Sequence, residues 1–147
     1  MPTFDNQLSA LADSTQSLCQ RASECDFSGE GWAPAITLGH IVDVDTEVWM
    51  TRFELMVIAL RSNQSPPQLA SWEPDGEKTA EKYVSYTLTH SIELLKESRS
   101  LMLNYLKSLT IEERQASAIH MSFGNITIES MLAVILNHDE EHRATLI

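Results

Sequence analysis

An all-α, antiparallel four-helix bundle is the fold the sequence predicts, and three observations carry it. Four segments repeat apolar residues at steps of three and four, the spacing of one helix face. The 147 residues include only five Gly and five Pro, few for the many turns of a β sandwich. One Pro-rich gap separates the second segment from the third. At about 100–200 residues per domain, residues 1–147 form one domain, long enough to bury a core without a disulfide or metal staple.

The first helix is expected from about Asp5 to Cys25, on Leu8, Leu11, Leu18 and Ala22. Ser28-Gly29-Glu30-Gly31 follows it as a breaker cluster. The second starts at Pro34, whose fixed φ suits a first turn, and reaches Arg61. On a regular helical wheel Ile41, Val44, Val48, Thr51, Leu55 and Ile58 share its apolar face. Pro66-Pro67 stops it. Residues 62–76 are too long for a tight bundle turn and predict one long crossover connection. The third helix is expected from Glu77 to Leu109, on Tyr83, Tyr86, Leu88, Ile92, Leu95, Leu101, Met102, Tyr105 and Leu106. Thr110-Ile111-Glu112-Glu113 has the form of a capping box opening a short helical piece. Ser122-Phe123-Gly124-Asn125 is a break, and Thr127 caps a last helix from Ile128 to about Leu146.

Charge excludes some functions. Ten Lys and Arg against 21 Asp and Glu leave a net charge of −11, which repels phosphate backbones and anionic membrane surfaces. Neither a nucleic acid nor a membrane is expected as partner. The N-terminus lacks the basic and apolar regions of a signal peptide. Cys19 and Cys25 have no CxxC spacing, and a reduced, cytoplasmic setting is expected.

Chemistry gathers on the histidines. His138 and His142, four apart, project from one helix face and can reach one metal ion. They continue the stripe of Ile128, Met131, Leu132 and Ile135, so both should point into the bundle, where such folds build metal sites. His40 falls within the apolar face of the second helix, and Gly39 beside it leaves room for close approach. It is the candidate third ligand. His90 and His120 have no ligand partner nearby in sequence and are expected to be structural or exposed.

Trp32-Ala-Pro-Ala-Ile-Thr-Leu-Gly-His40-Ile-Val-Asp43, followed by Trp49 and Arg52-Phe53, resembles the second-helix signature of the DinB/YfiT-like family. Gly124-Asn-Ile-Thr127-Ile-Glu-Ser-Met-Leu and His138-Asp-Glu-Glu-His142 resemble its ending. The resemblance spans nearly the whole chain. It implies a four-helix bundle that holds one divalent ion, usually nickel or zinc, on His40, His138 and His142. It also implies a thiol-dependent S-transferase, with a low-molecular-weight thiol of the bacillithiol or mycothiol type and a small-molecule electrophile as partners. Relatives often pair, and the apolar content of 56–60 and 101–106 adds to the expectation of a homodimer. The chain ends in Ala144-Thr145-Leu146-Ile147 where relatives often carry Gln-Ile.

Asp43, three residues from His40, and Asp139, beside His138, are candidates to receive an imidazole N–H. Glu47, one turn beyond Asp43, is a candidate general base or fourth ligand, and Asp43 a second catalytic candidate. Trp32 and Trp49 could line a pocket mouth, and Arg52 could face the pocket or solvent. The alternative to an enzyme is a non-catalytic metal-binding or interaction protein whose triad staples the bundle.

Overall fold

Thr3 opens the first helix of the computed structural model, which describes residues 3–147. Its hydroxyl accepts from the Asn6 amide, and α1 runs Phe4–Glu24. α2 (Pro34–Val44) has Pro34 in its first turn. A π-helical turn, Asp45–Trp49, joins it without interruption to α3 (Met50–Arg61). The crossover holds β1 (Gln68–Leu69) and α4 (Gly76–Tyr83), the latter capped by Asp75. α5 (Leu88–Ser108) starts at Thr87, whose hydroxyl accepts from the His90 amide. A 3₁₀ turn at Glu113–Gln115 precedes β2 (Ser117–His120) and β3 (Gly124–Thr127). Reciprocal bonds between Thr127 and Ser130 then open α6 (Ile128–Thr145).

Side-chain pairs fix the helix directions. Ser14 bonds Asp139, and Arg21 bonds the Leu146 carbonyl, so α1 and α6 run parallel. Ser91 bonds the Ala35 carbonyl and Arg99 bonds Asp45, so the α2–α3 limb and α5 also run parallel. The two couples oppose each other, since Arg99 reaches Thr15 while Lys96 lies beside Cys19. A parallel couple needs its second helix to restart at the same end of the bundle as its first. The segment from 62 to 87 provides that return, as the Pro-rich gap predicts.

Three features differ from the wheel and the spacing. In the π turn the Met50 amide bonds the Asp45 carbonyl, five residues back. The extra residue rotates everything after it by about 100° relative to an unbroken helix. Thr51, Leu55 and Ile58 are therefore exposed, the last two at 47% and 55%, and Phe53, Met56 and Val57 are buried instead. The helix expected over 77–109 is two helices: the Tyr86 amide turns back to the Tyr83 carbonyl, and Thr87 starts a new N-terminus. Residues 117–127 form a hairpin, not a loop, and β1 pairs parallel to β2, which ties the crossover to the hairpin.

The core lies in two apolar clusters. One contains Phe4, Phe53, Met56, Met102, Leu106 and Met131; the other contains Leu18, Leu38, Ile41 and Leu95. Gly39 lies on the α2 face beneath the Tyr83 ring, where an added Cβ would stand 2.5 Å from ring carbons. Gly39→Ala should cost about 1–3 kcal/mol by overpacking. The penalty should vanish on a Tyr83→Ala background in a double-mutant cycle. Since alanine is the better helix former, an equal cost on both backgrounds would show that Tyr83 is not the neighbour that resists the added methyl. Among the described residues no helix is long and apolar enough to cross a membrane.

Candidate metal centre

α2 brings His40, and α6 brings His138 and His142, to one point. Each offers a nitrogen, and the three ligand atoms lie within 4.8 Å of one another. Ring centroids are 4.7 Å apart for His40 and His142, 5.5 Å for His40 and His138, and 4.5 Å for His138 and His142. The Nε2 atoms of His138 and His142 stand 3.1 Å apart. Bonds of about 2.0–2.1 Å at a tetrahedral angle place two nitrogens about 3.3 Å apart. The donor set therefore fits a divalent ion, with the spacing of the His138 and His142 nitrogens nearly preformed.

The electrostatics point the same way. Burial first, then the neighbouring imidazoles, lower the His40 and His142 pKa values to about 4. Burial also lowers that of His138. All three are neutral at physiological pH, the form that ligates. In the unfolded chain they regain values near 6.5. As pH falls below about 6.5 the unfolded chain binds protons that the fold refuses, so stability declines towards pH 4. Melting of the metal-free protein should drop steadily across that window, and His40→Gln should flatten the profile. A flat profile in the unmodified protein would show that these rings are not held neutral.

Neither aspartate receives an imidazole N–H, which corrects the expectation for Asp43 and Asp139. Asp43 accepts from Lys82 at 2.8 Å and from the Tyr83 hydroxyl at 2.6 Å. Asp139, 1% exposed, accepts two bonds of 2.7 Å from Arg99. The Nδ1 atoms of His40 and His138 are buried without a partner among the described residues. Glu47 is exposed and does not line the pocket above the triad. Its roles as base or fourth ligand have no support in its position. Glu141 does line that pocket.

Arg99 crosses the bundle as a buried polar layer. Its Nε lies 2.8 Å from Asp45 on the π turn, while its two Nη atoms hold Asp139 on α6. Ser98 and Ser14 bond the same two carboxylates. Burial opposes the charge on Arg99, yet the two aspartates raise its pKa further, and burial raises that of Asp45. The layer ties the helix of His40 to the helix of His138 and His142. Sequence periodicity carried a signal for it, because Arg99 falls between Leu95 and Met102 on the α5 stripe.

The pocket encloses about 490 Å³. All three tryptophans of the chain line it. Trp32 and Trp72 stand 5.2 and 6.3 Å from the His40 ring, and Trp49 stands 6.3 Å from the His138 ring. The sheet brings Trp72, from the crossover, beside His120 and Phe123 of the hairpin. His120 is buried and lines the pocket, so it is not an exposed bystander. Its Nδ1 accepts from the amides of Ser122 and Phe123, which leaves the ring proton on Nε2 in the neutral form. His90 lies elsewhere, stacked on Tyr86. Arg52 faces the pocket, whereas Arg143 turns away to Glu140 and Ser17. Both cysteines are free and lie outside this pocket. Burial pushes the Cys19 thiol up despite Lys96 and Arg99 nearby.

Residues 3–146 match the model of the DinB superfamily. No curated protein matches the chain in sequence. Its fold is similar to that of YfiT from Bacillus subtilis, described as a probable metal-dependent hydrolase with an unusual four-helix bundle topology. The two share 20% identity with a TM-score of 0.73, over 97% of this chain and 83% of the other.

Proposed function

The chain belongs to the DinB superfamily, and on that premise we propose that it is a divalent-metal-dependent enzyme of the thiol S-transferase class. His40, His138 and His142 would hold nickel or zinc. The observation that carries the proposal is three neutral imidazoles, one buried and two half-buried, converging at an open, aromatic-walled pocket. An ion bound by three nitrogens supplies an open Lewis-acid position where a thiol is held as thiolate near neutral pH. The protein's own part is to keep the imidazoles unprotonated and to screen the site from water with Trp32, Trp49 and Trp72. No cysteine lines the pocket, so the nucleophile is a free low-molecular-weight thiol, joined to a small electrophile.

Metal analysis of protein purified without a polyhistidine tag should find a single equivalent of nickel or zinc. The loaded protein should then accelerate adduct formation between a small thiol and monochlorobimane. Metal content near zero after equilibration with both ions would end the proposal. The likeness to YfiT favours hydrolysis as the second reading, supported if loaded protein cleaves small esters or amides without added thiol. The non-catalytic alternative requires stability to collapse on chelation. The two apolar clusters favour a fold that survives it. We also propose a homodimer in a cytoplasmic setting, supported by the exposed apolar residues Leu55 and Ile58 on α3. Light scattering giving 16.5 kDa at micromolar concentration would end the dimer.

A further inference from the structure

Two polar groups in the pocket wall lack a full set of partners within the protein. Trp49 is 8% exposed, and its Nε1 is buried with no hydrogen-bond partner among the described residues. A buried donor left unpaired costs about 1–3 kcal/mol, and since the Trp49 ring lines the pocket, a small turn of the indole would offer its N–H to an acceptor brought by a ligand. Arg52 lies next along the same wall, with Cζ 5.7 Å from the Trp49 ring centroid. One of its Nη atoms bonds the Ala70 carbonyl at 2.8 Å. Among the described residues it makes no ion pair, while Arg61, Lys82, Arg99 and Arg143 all do. Arg114 is likewise half-buried without an ion pair among the described residues, but it packs over the Phe4 ring away from the pocket, so Arg52 is the unpaired guanidinium on the cavity wall. Burial alone depresses the pKa of Arg52, and burial first, then the charge of Arg52, lowers that of His120 on the same pocket. Glu73 and Glu141 also line the cavity, but both are exposed at its rim and not within the wall.

The spacing defines a ligand. From the His138 ring to Trp49 is 6.3 Å, and from Trp49 to the Arg52 guanidinium 5.7 Å. A molecule reaching from the imidazoles to Arg52 must cross the Trp49 ring, with Trp32 and Trp72 on the side of His40. Flat apolar groups suit such walls, and a guanidinium fork suits a carboxylate.

We propose that the pocket takes a small organic acid with a planar apolar body, whose carboxylate pairs with Arg52 and accepts a bond from the Trp49 indole N–H. The reacting end then lies at the triad, so the proposal names the class of electrophile for the enzyme inferred above and rests on that reading. Arg52 and Trp49 become specificity-determining residues.

Phenylacetate and its neutral analogue phenylacetamide test it, with tryptophan fluorescence as readout, on both zinc-loaded and metal-free protein. Arg52→Gln should weaken phenylacetate by roughly tenfold or more, the worth of a charged hydrogen bond. It should leave phenylacetamide and zinc content unchanged. Trp49→Phe keeps the ring, removes the donor and should weaken phenylacetate several-fold. Equal weakening of acid and amide by Arg52→Gln would mean a disturbed wall and overturn the proposal. So would failure of the unmodified protein to bind phenylacetate at millimolar concentration. Binding that needs zinc but ignores Arg52→Gln would place the carboxylate on the ion, overturning the Arg52 role and leaving the metal reading intact. A charge-selective loss in protein that holds no zinc would sustain the Arg52 role while the metal reading fails.

Discussion

Arg99→Met lowers stability by about 3–5 kcal/mol, because it strands two buried carboxylates. Asp45 and Asp139 are each 1% exposed, and Arg99 supplies the positive charge between them. For a chain of this length, about 2–4 °C per kcal/mol turns the loss into a fall of roughly 6–20 °C in melting temperature. The deficit belongs to the stranded charges, not to the lost ion pairs as such. Adding Asp45→Leu and Asp139→Leu to Arg99→Met should therefore recover most of it. Thermal melts by circular dichroism decide the matter. A single variant within about 1 kcal/mol of the parent would mean that the layer is wetter than its burial indicates. Metal content of the same variant, measured well below its melting point, reports whether α2 and α6 stay aligned.

The second large effect falls on the triad. His142→Ala should weaken nickel or zinc binding by at least about 100-fold, since even residues that only orient ligands cost 10–100-fold. The fold should persist, because both apolar clusters lie outside the triad. His90→Ala should leave metal content unchanged, as that ring stacks on Tyr86 far from the pocket. His40→Ala with full occupancy would remove α2 from the ligand set. Glu141, which lines the pocket, would then replace it as the candidate, in preference to Asp43 or Glu47.

The legible parts of the sequence were those where one helix carries its own period. Ile128, Met131, Leu132 and Ile135 set the face of α6, and the i,i+4 pair His138 and His142 followed it inward. Thr127 and the Thr110–Glu113 box showed where chain segments begin. Contacts between distant segments were not legible. Trp72 reaches the site only because Leu69 pairs with His120, fifty-one residues away. The strands of the hairpin have four residues each, too few for a clear alternation, and Gly124 has φ +70, which reads as a break in any pattern. Asp139 was placed beside the correct residue but given the wrong partner, because a buried arginine on another helix outcompetes an imidazole N–H.

The π turn makes the α2–α3 limb a two-position rotary joint. Deleting one residue within 45–49 would restore a regular α-helix and turn α3 by about 100° against α2. His40 would keep its place, while Arg52 would swing off the cavity and Leu55 and Ile58 would rotate towards the core. One codon thus separates the part of the limb that presents the imidazole from the part that shapes what lies above it. Relatives that differ in length at this point should differ in ligand preference while keeping the same three histidines.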